Sequence, residues 1–265
     1  RFFNEEIEDD DFFFFFLGSL GDIFINDAFS CFHRKQASIH NISKYVNKSY
    51  AGPLIKKELE AINLIIQNRK EPVTCIIGGS KISTKINVIS NLIEKVNNLI
   101  IVGAMANNFL VFENFKVGKS LVEKNTYNII EQIYKKAREY NCEIIIPKDC
   151  VVGTTFEGDG KNKNLDKIQD NDIILDIGSD TIIDIKNKIE QSNTVLWNGP
   201  AGYFENENFL NGTRSIAETI SKNTLDRSLI SVLGGGDTVA AINKSKNKLS
   251  FSHLSTAGGA FLEYL

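Results

Sequence analysis

The chain has 265 residues, 42% of them hydrophobic, and its 30 Lys+Arg against 33 Asp+Glu leave a net charge of −3. That length can bury one large core, or one core and part of a second. The balanced charge gives no basic footprint for nucleic acid, and no run approaches the roughly 18 apolar residues of a membrane span, so neither partner is expected.

The most apolar run, Phe12-Phe13-Phe14-Phe15-Phe16-Leu17, is too short to span a bilayer. Acidic residues precede it and no small-residue cleavage site follows, so it does not read as a signal peptide. Apolar β-branched runs predict strands over residues 22–26, 73–77, 99–102, 143–146, 172–175, 194–197, 229–233 and 251–254. Their short, near-continuous Ile/Val/Leu content is that of parallel strands covered on both faces. Between them, helical periodicity predicts helices over 56–68, 85–96, 125–140, 181–189, 213–221 and 238–243. This alternation argues for a doubly wound α/β domain. The breaker Ala51-Gly52-Pro53 places a boundary: residues 1–52 in one lobe, 53–72 as a connecting helix, 73–265 in a second lobe. Residues 161–167 read as a polar loop without chemistry. The chain starts at Arg1 and ends at Leu265 within a helical pattern, and reads as a fragment shortened at both ends.

Cys31, Cys75, Cys142 and Cys150 show no CxxC spacing, and His33, His40 and His253 are scattered, which argues against a His/Cys metal cage. Free, mostly buried thiols suit a reducing compartment, and with the mixed-sign surface they lead to a cytoplasmic expectation. Cys31 lies two residues from His33, but no third orienting group is visible, so it reads as a bystander.

The informative pattern is where the glycines fall. Six predicted strands run into Gly78-Gly79-Ser80-Lys81, Gly103-Ala104, Asp176-Ile177-Gly178, Asn198-Gly199-Pro200-Ala201-Gly202, Gly234-Gly235-Gly236-Asp237-Thr238 and Ser255-Thr256-Ala257-Gly258-Gly259. In an open parallel sheet, ligands bind beyond the carboxyl ends of the strands. Glycine admits a ligand to the backbone, and helix N-termini favour phosphate. A tight turn explains one such loop about as well; six on one edge point to a phosphate-bearing ligand. Lys81 and Lys85, four apart, share a face of a helix starting there, so phosphate contact is the expectation. Asp237 either caps the following helix, with Thr238 as a second candidate cap, or serves as a magnesium ligand, since that ion takes one or two carboxylates plus substrate phosphates. Gly118-Lys119-Ser120 mimics the end of a Walker A loop, but Glu113 stands where the first glycine belongs, so it reads as an ordinary loop. No GxGxxG is present, which argues against a dinucleotide enzyme.

Taken in order, Gly21-Asp22-Ile23-Phe24-Ile25-Asn26-Asp27-Ala28-Phe29, His33-Arg34, Gly78 to Ile86, Trp197-Asn198-Gly199-Pro200-Ala201-Gly202-Tyr203-Phe204-Glu205, Gly234 to Thr238 and Ser255 to Ala260 resemble phosphoglycerate kinase along the whole chain. The resemblance implies two Rossmann-like lobes joined by a long helix, with the first lobe largely missing here, and a monomer. It implies a phosphotransferase with a carboxyl acceptor, moving a phosphoryl group between 1,3-bisphosphoglycerate and ADP, with Mg2+, to give 3-phosphoglycerate and ATP. By that resemblance Gly79, Ser80, Lys81 and Lys85 line the nucleotide and the moving phosphate, with Lys85 as principal charge stabiliser. Ala104 and Gly178 line the adenine and ribose, Gly199, Ala201 and Phe204 flank the nucleoside, and Glu205 takes ribose hydroxyls. Gly235, Gly236, Asp237 and Thr238 hold phosphates, with Asp237 on the metal. Gly258 and Gly259 offer N–H groups to the phosphoryl, and Arg1 and Arg34 bind phosphoglycerate. Ser80 replaces a common alanine, Ala104 a usual glycine, where its methyl is expected to crowd the adenine, and Ala257 a glycine of some members. In the family about a third of the protein precedes Arg1 and carries most acceptor-binding residues, so the chain alone is expected to bind nucleotide, to turn over poorly, and to leave residues 1–52 partly unfolded. The alternative is a nucleotide-binding remnant without catalysis.

Overall fold

The computed structural model describes residues 4–8, 10–32, 34–244, 247–255 and 257, without the side chains of Leu64 and Ile66. Arg1, His33, Thr256, Gly258, Gly259 and Ala260, which carried sequence expectations, lie outside the described residues.

The first part of the chain holds helices α1 (Asn4–Ile7) and α2 (Asp11–Gly18), and strands β1 (Ile23–Asn26) and β2 (Lys48–Ala51). The two strands pair in parallel as a sheet of their own, Ile23 opposite Lys48. Asp10 caps α2 by accepting from the Phe13 N–H. Phe14, Ala37 and Ile42 form a small core beneath it. Much apolar surface here stays uncovered: Phe12 is 81% exposed and Leu20 69%. Strand β2 has no apolar run and was not predicted; it forms because β1 supplies its ladder.

Helix α3 (Pro53–Ile66) follows, starting three residues earlier than its apolar periodicity. Pro53 sits where a missing N–H costs nothing. The cap comes from elsewhere: the Asp27 carboxylate, just after β1, accepts from the Leu54 and Ile55 N–H groups at 2.7 and 3.0 Å. A Cβ on Gly52 would lie 2.3 Å from that carboxyl carbon, so glycine here lets the cap close.

The remainder continues with β3 (Val73–Ile77), α4 (Ile86–Ile93), β4 (Asn98–Ile101), α5 (Ala106–Phe112), α6 (Tyr127–Glu139), β5 (Glu143–Ile145), β6 (Asp149–Gly153), β7 (Lys161–Asn164), β8 (Ile173–Ile177), α7 (Ser179–Gln191), β9 (Thr194–Asn198), α8 (Asn211–Arg227), β10 (Ile230–Gly234), α9 (Gly236–Asn243) and β11 (His253–Ser255). Six of these strands form one parallel sheet in the order β11-β10-β9-β3-β4-β5. Side chains alternate between its faces, as a pleated strand requires. Val73, Cys75, Ile77, Leu99, Ile101, Leu196 and Val232 pack with α3, α4 and α6 on one side. Ile76, Ile100, Val195, Trp197 and Leu233 pack with α7, α8 and α9 on the other. The doubly wound expectation therefore holds for the large sheet.

The expectation that residues 172–175 form one of its strands does not hold. Strand β8 pairs antiparallel with β6, which also pairs antiparallel with β7, in a separate three-stranded sheet. Residues 161–164, read as loop, are its outer strand. Lys163 there makes a largely buried ion pair with Asp172, 2.7 Å, so its polar sequence hides a paired position. The Gly118-Lys119-Ser120 segment is an ordinary loop as read. Gly118 has φ +59°, the Lys119 N–H donates to the Asp172 carbonyl, and Ser120 Oγ accepts from the Ile174 N–H.

Candidate functional site

The order of the large sheet fixes where a ligand can enter. The chain leaves β3 toward β4 and β5 on one side, and fills β9, β10 and β11 on the other. The reversal lies between β3 and β9, and the helices departing in opposite directions open a crevice beyond their carboxyl ends. Two cavities of about 380 and 360 Å³ meet there, sharing Gly79, Ser80, Pro200 and Asp237 in their walls.

The smaller cavity is bounded by Gly78 to Lys81, Lys85, Asn198, Gly199 and Gly235 to Thr238. Its loops pack backbone on backbone. A Cβ at Gly78 would sit 2.2 Å from the Pro200 carbonyl, and one at Gly199, whose φ is +93°, 2.3 Å from the Gly78 carbonyl. Glycine at these two positions thus serves loop-to-loop closeness as much as approach of a ligand. Gly236 differs, since a Cβ there would meet nothing within 4 Å. It opens α9, whose first residues, Gly236 to Thr238, line this cavity and have no helical acceptor for their N–H groups.

Lys85 is a half-buried cation of the site. It is not on one helix with Lys81, as the four-residue spacing predicted; Lys85 is the residue before α4, and residues 83–85 form a turn. Lys81 is exposed at the rim. Lys85 Nζ donates to the Gly78 carbonyl at 2.6 Å and to Asn198 Oδ1 at 3.0 Å. Two of its three N–H groups are so fixed, leaving one for a ligand. Burial pushes its pKa down to about 8 against the opposing pull of Cys75 and Asp237. Asn198 was not among the predicted site residues. It ends β9 fully enclosed, donates from Nδ2 to the Gly234 carbonyl at 2.7 Å, and so ties Lys85 to β10. A polar residue closing a five-residue buried strand was the available signal.

Asp237 is exposed in the first turn of α9, and the structure gives its carboxylate no partner among the described residues. It is therefore not the cap, and neither is Thr238 in the usual sense. The Thr238 hydroxyl accepts from the Gly199 N–H at 2.7 Å and donates to the Gly234 carbonyl at 2.9 Å. With its hydroxyl engaged, Thr238 offers a ligand its backbone N–H.

The larger cavity is walled by Gly103, Ala104, Leu110, Leu121, Cys150, Ile174, Asp176, Ala201, Tyr203, Phe204 and Glu205, among others. It is mainly apolar with an acidic rim. The Ala104 methyl is part of its wall and does not close it. Burial pushes the Cys150 thiol up to about 12, so it behaves as a small hydrophobe. Glu205 is exposed, and no described residue bonds its carboxylate. Trp197, wholly buried behind the junction, donates its indole N–H to the Gly199 carbonyl at 2.7 Å.

Two predicted positions fall elsewhere. Gly178 lines neither cavity. It precedes α7, and a Cβ there would lie 2.2 Å from the Asp149 carboxylate, which accepts from the Thr181 and Asp180 N–H groups at 2.8 and 3.1 Å. Its glycine lets Asp149, a residue the sequence reading passed over, cap the helix from β6. Arg34 is exposed in the first part of the chain and lines neither cavity.

Among the described residues no three His, Cys, Asp or Glu side chains converge as a metal cage, and no helix is long and apolar enough to cross a membrane.

A family model described as phosphoglycerate kinase matches residues 1–265. Over 267 aligned residues the chain is 43% identical to a phosphoglycerate kinase of Wolbachia pipientis and 39% identical to one of Coxiella burnetii, with all of the chain and 67% of each relative covered. A solved phosphoglycerate kinase from Coxiella burnetii superposes with a TM-score of 0.87 at 38% identity, over 98% of this chain and 66% of that one. One from Pyrococcus horikoshii superposes at 0.78 and 27% identity, over 94% and 62%. The chain spans about two thirds of the length of these relatives.

Proposed function

Since the chain belongs to the phosphoglycerate kinase family, we propose that the crevice between β3 and β9 holds Mg-ADP or Mg-ATP, and that the protein moves a phosphoryl group reversibly between 1,3-bisphosphoglycerate and ADP. The observation that carries this reading is the Lys85 ammonium, held at 2.6 and 3.0 Å by Gly78 and Asn198 at the mouth of a helix N-terminus beside an uncommitted carboxylate. The nucleoside lies in the larger cavity between Ala104 and Phe204, with Glu205 at the ribose. The phosphates lie in the smaller one, against the N–H groups of Gly236, Asp237 and Thr238.

Phosphoryl transfer asks a protein for alignment and charge neutralisation more than for covalent chemistry. Lys85 is fixed before the substrate arrives, so it neutralises charge on the equatorial oxygens without reorganising. The α9 N-terminus adds partial positive charge and three N–H donors. Lys81 at the rim supplies an exposed second cation. The apolar walls of the larger cavity take the base of the nucleotide and so hold its phosphates in register with the smaller one. Transfer between an acyl-phosphate and ADP requires no general base. Asp237 fits a magnesium ion, because that ion takes one or two carboxylates and completes its shell with phosphate oxygens and water; when bound it neutralises charge between the phosphates. Gly258, Gly259, Arg1 and Arg34 keep the roles the resemblance implies, phosphoryl and phosphoglycerate binding, and the cytoplasm and a monomeric state remain part of the proposal.

Titration of ADP into the chain, followed by the fluorescence of Trp197, tests this reading because the indole is bonded to the Gly199 loop. Saturable binding strengthened by Mg2+ and weakened by Asp237→Ala is expected. No response up to millimolar ADP would refute it.

A further inference from the structure

The segment from Gly199 to Asn206 belongs to no helix or strand, and its residues Pro200 to Glu205 wall the larger cavity. Its start is tied down by backbone bonds: the Ala201 carbonyl accepts from the Gly103 N–H at 3.1 Å, and the Tyr203 N–H donates to the Leu175 carbonyl at 2.6 Å. Its end is tied by Asn206, whose Nδ2 donates to the Phe156 carbonyl at 2.9 Å. Between these anchors lie Phe204 and Glu205. The Phe204 carbonyl accepts from Lys244 Nζ at 2.9 Å and the Glu205 carbonyl accepts from the same ammonium at 3.1 Å. That ammonium also stands 5.6 Å from the centre of the Phe204 ring. Lys244 is the residue that ends α9, the helix whose first turn carries Asp237. One helix therefore faces the smaller cavity with its beginning and grips the wall of the larger one with its end.

We propose that Lys244 is a positioning residue, holding the Phe204–Glu205 backbone so that the free Glu205 carboxylate stands at the ribose hydroxyls of the bound nucleotide. The inference rests on the nucleotide reading above. A carboxylate accepting two hydroxyls gains affinity only if its backbone is already in place, since otherwise binding must order the loop as well. Lys244 does this from outside the cavity, where it touches no ligand. Because the clamp is exposed and both carbonyls are open to water once it is lost, removing it leaves the core of the fold unchanged.

The experiment compares ADP with 2′,3′-dideoxy-ADP by calorimetry in the full chain, for the wild type, Lys244→Met and Lys244→Arg. We expect Lys244→Met to weaken ADP by about five- to tenfold, the scale of a displaced contact group. It should weaken dideoxy-ADP by a clearly smaller factor, because that ligand shares the Phe204 contact but has no hydroxyl for Glu205, and leave the thermal midpoint unchanged. Lys244→Arg, which can span both carbonyls and stack on Phe204, should restore most of the loss. Equal weakening of both ligands would overturn the inference in favour of a general structural role, and so would unchanged ADP affinity in Lys244→Met. Failure of the wild type to bind either ligand would instead overturn the nucleotide reading itself and the inference with it.

Discussion

Raising the pH across the range of Lys85 should move ligand affinity and stability in opposite directions. Burial lowers the Lys85 pKa from 10.5 to about 8. The ammonium is therefore about 90% charged at pH 7 and about 10% charged at pH 9, from the titration curve alone. If a phosphate in the smaller cavity needs that charge, ADP affinity should fall about tenfold between pH 7 and pH 9. Stability goes the other way. Between about pH 8 and 10.5 the unfolded chain keeps a proton that the folded chain has released, so folding becomes more favourable as pH rises. The shift is worth on the order of 3 kcal/mol at its limit, reached only above the unfolded pKa. Other alkaline groups titrate in the same range, so the quantity to read is the difference between wild type and Lys85→Met. Calorimetric ADP affinities and urea midpoints at half-unit steps from pH 6.5 to 9.5 would provide it. The variant should bind ADP weakly at every pH, without the tenfold fall, and lack the alkaline gain in stability. An ADP affinity equally pH-dependent in both proteins would refute the role given to the Lys85 charge.

Gly178→Ala drives a methyl into the Asp149 carboxylate and disturbs the cap of α7. It should cost about 1–3 kcal/mol in urea denaturation while leaving the ADP affinity of the surviving folded protein unchanged. Burial raises the Asp176 pKa from 3.8 to about 7, against the Gly212 and Ile177 N–H groups that bond it. Its folded state thus favours the proton, and the associated stability is present below pH 3.8 and lost as pH rises through about 7. Asp176→Asn should remove that component from the urea midpoint between pH 4 and 7, and at neutral pH should place an amide donor against the Gly212 N–H.

The large sheet was legible because its strands are buried on both faces and so carry near-continuous Ile and Val, and because glycine marks their ends. The small sheet was not. Strand β7 is Lys161-Asn162-Lys163-Asn164, and its right to be a strand comes from pairing with β6 and from Asp172 neutralising Lys163. Strand β8 reads like its parallel neighbours, since burial against a different partner leaves the same apolar signature. At the site, the spacing of Lys81 and Lys85 suggested a shared helix face, but the chain turns before α4 begins, and the two lysines separate into an exposed rim cation and a half-buried one. The sequence also could not distinguish glycines that admit a ligand from those that admit another loop. Gly78 and Gly178 both make room for a protein neighbour, and only the Pro200 carbonyl and the Asp149 carboxylate reveal it.

The central claim is that the crevice between β3 and β9 seats a nucleotide with its phosphates on the N-terminus of α9. A crystal structure of the chain with ADP and Mg2+ tests it most directly. The account predicts the diphosphate within hydrogen-bonding distance of Lys85 Nζ and of the Gly236–Thr238 N–H groups, with the metal on Asp237 and the adenine between Ala104 and Phe204. A nucleotide seated anywhere else, or one whose phosphates leave Lys85 bonded only to Gly78 and Asn198, would contradict it.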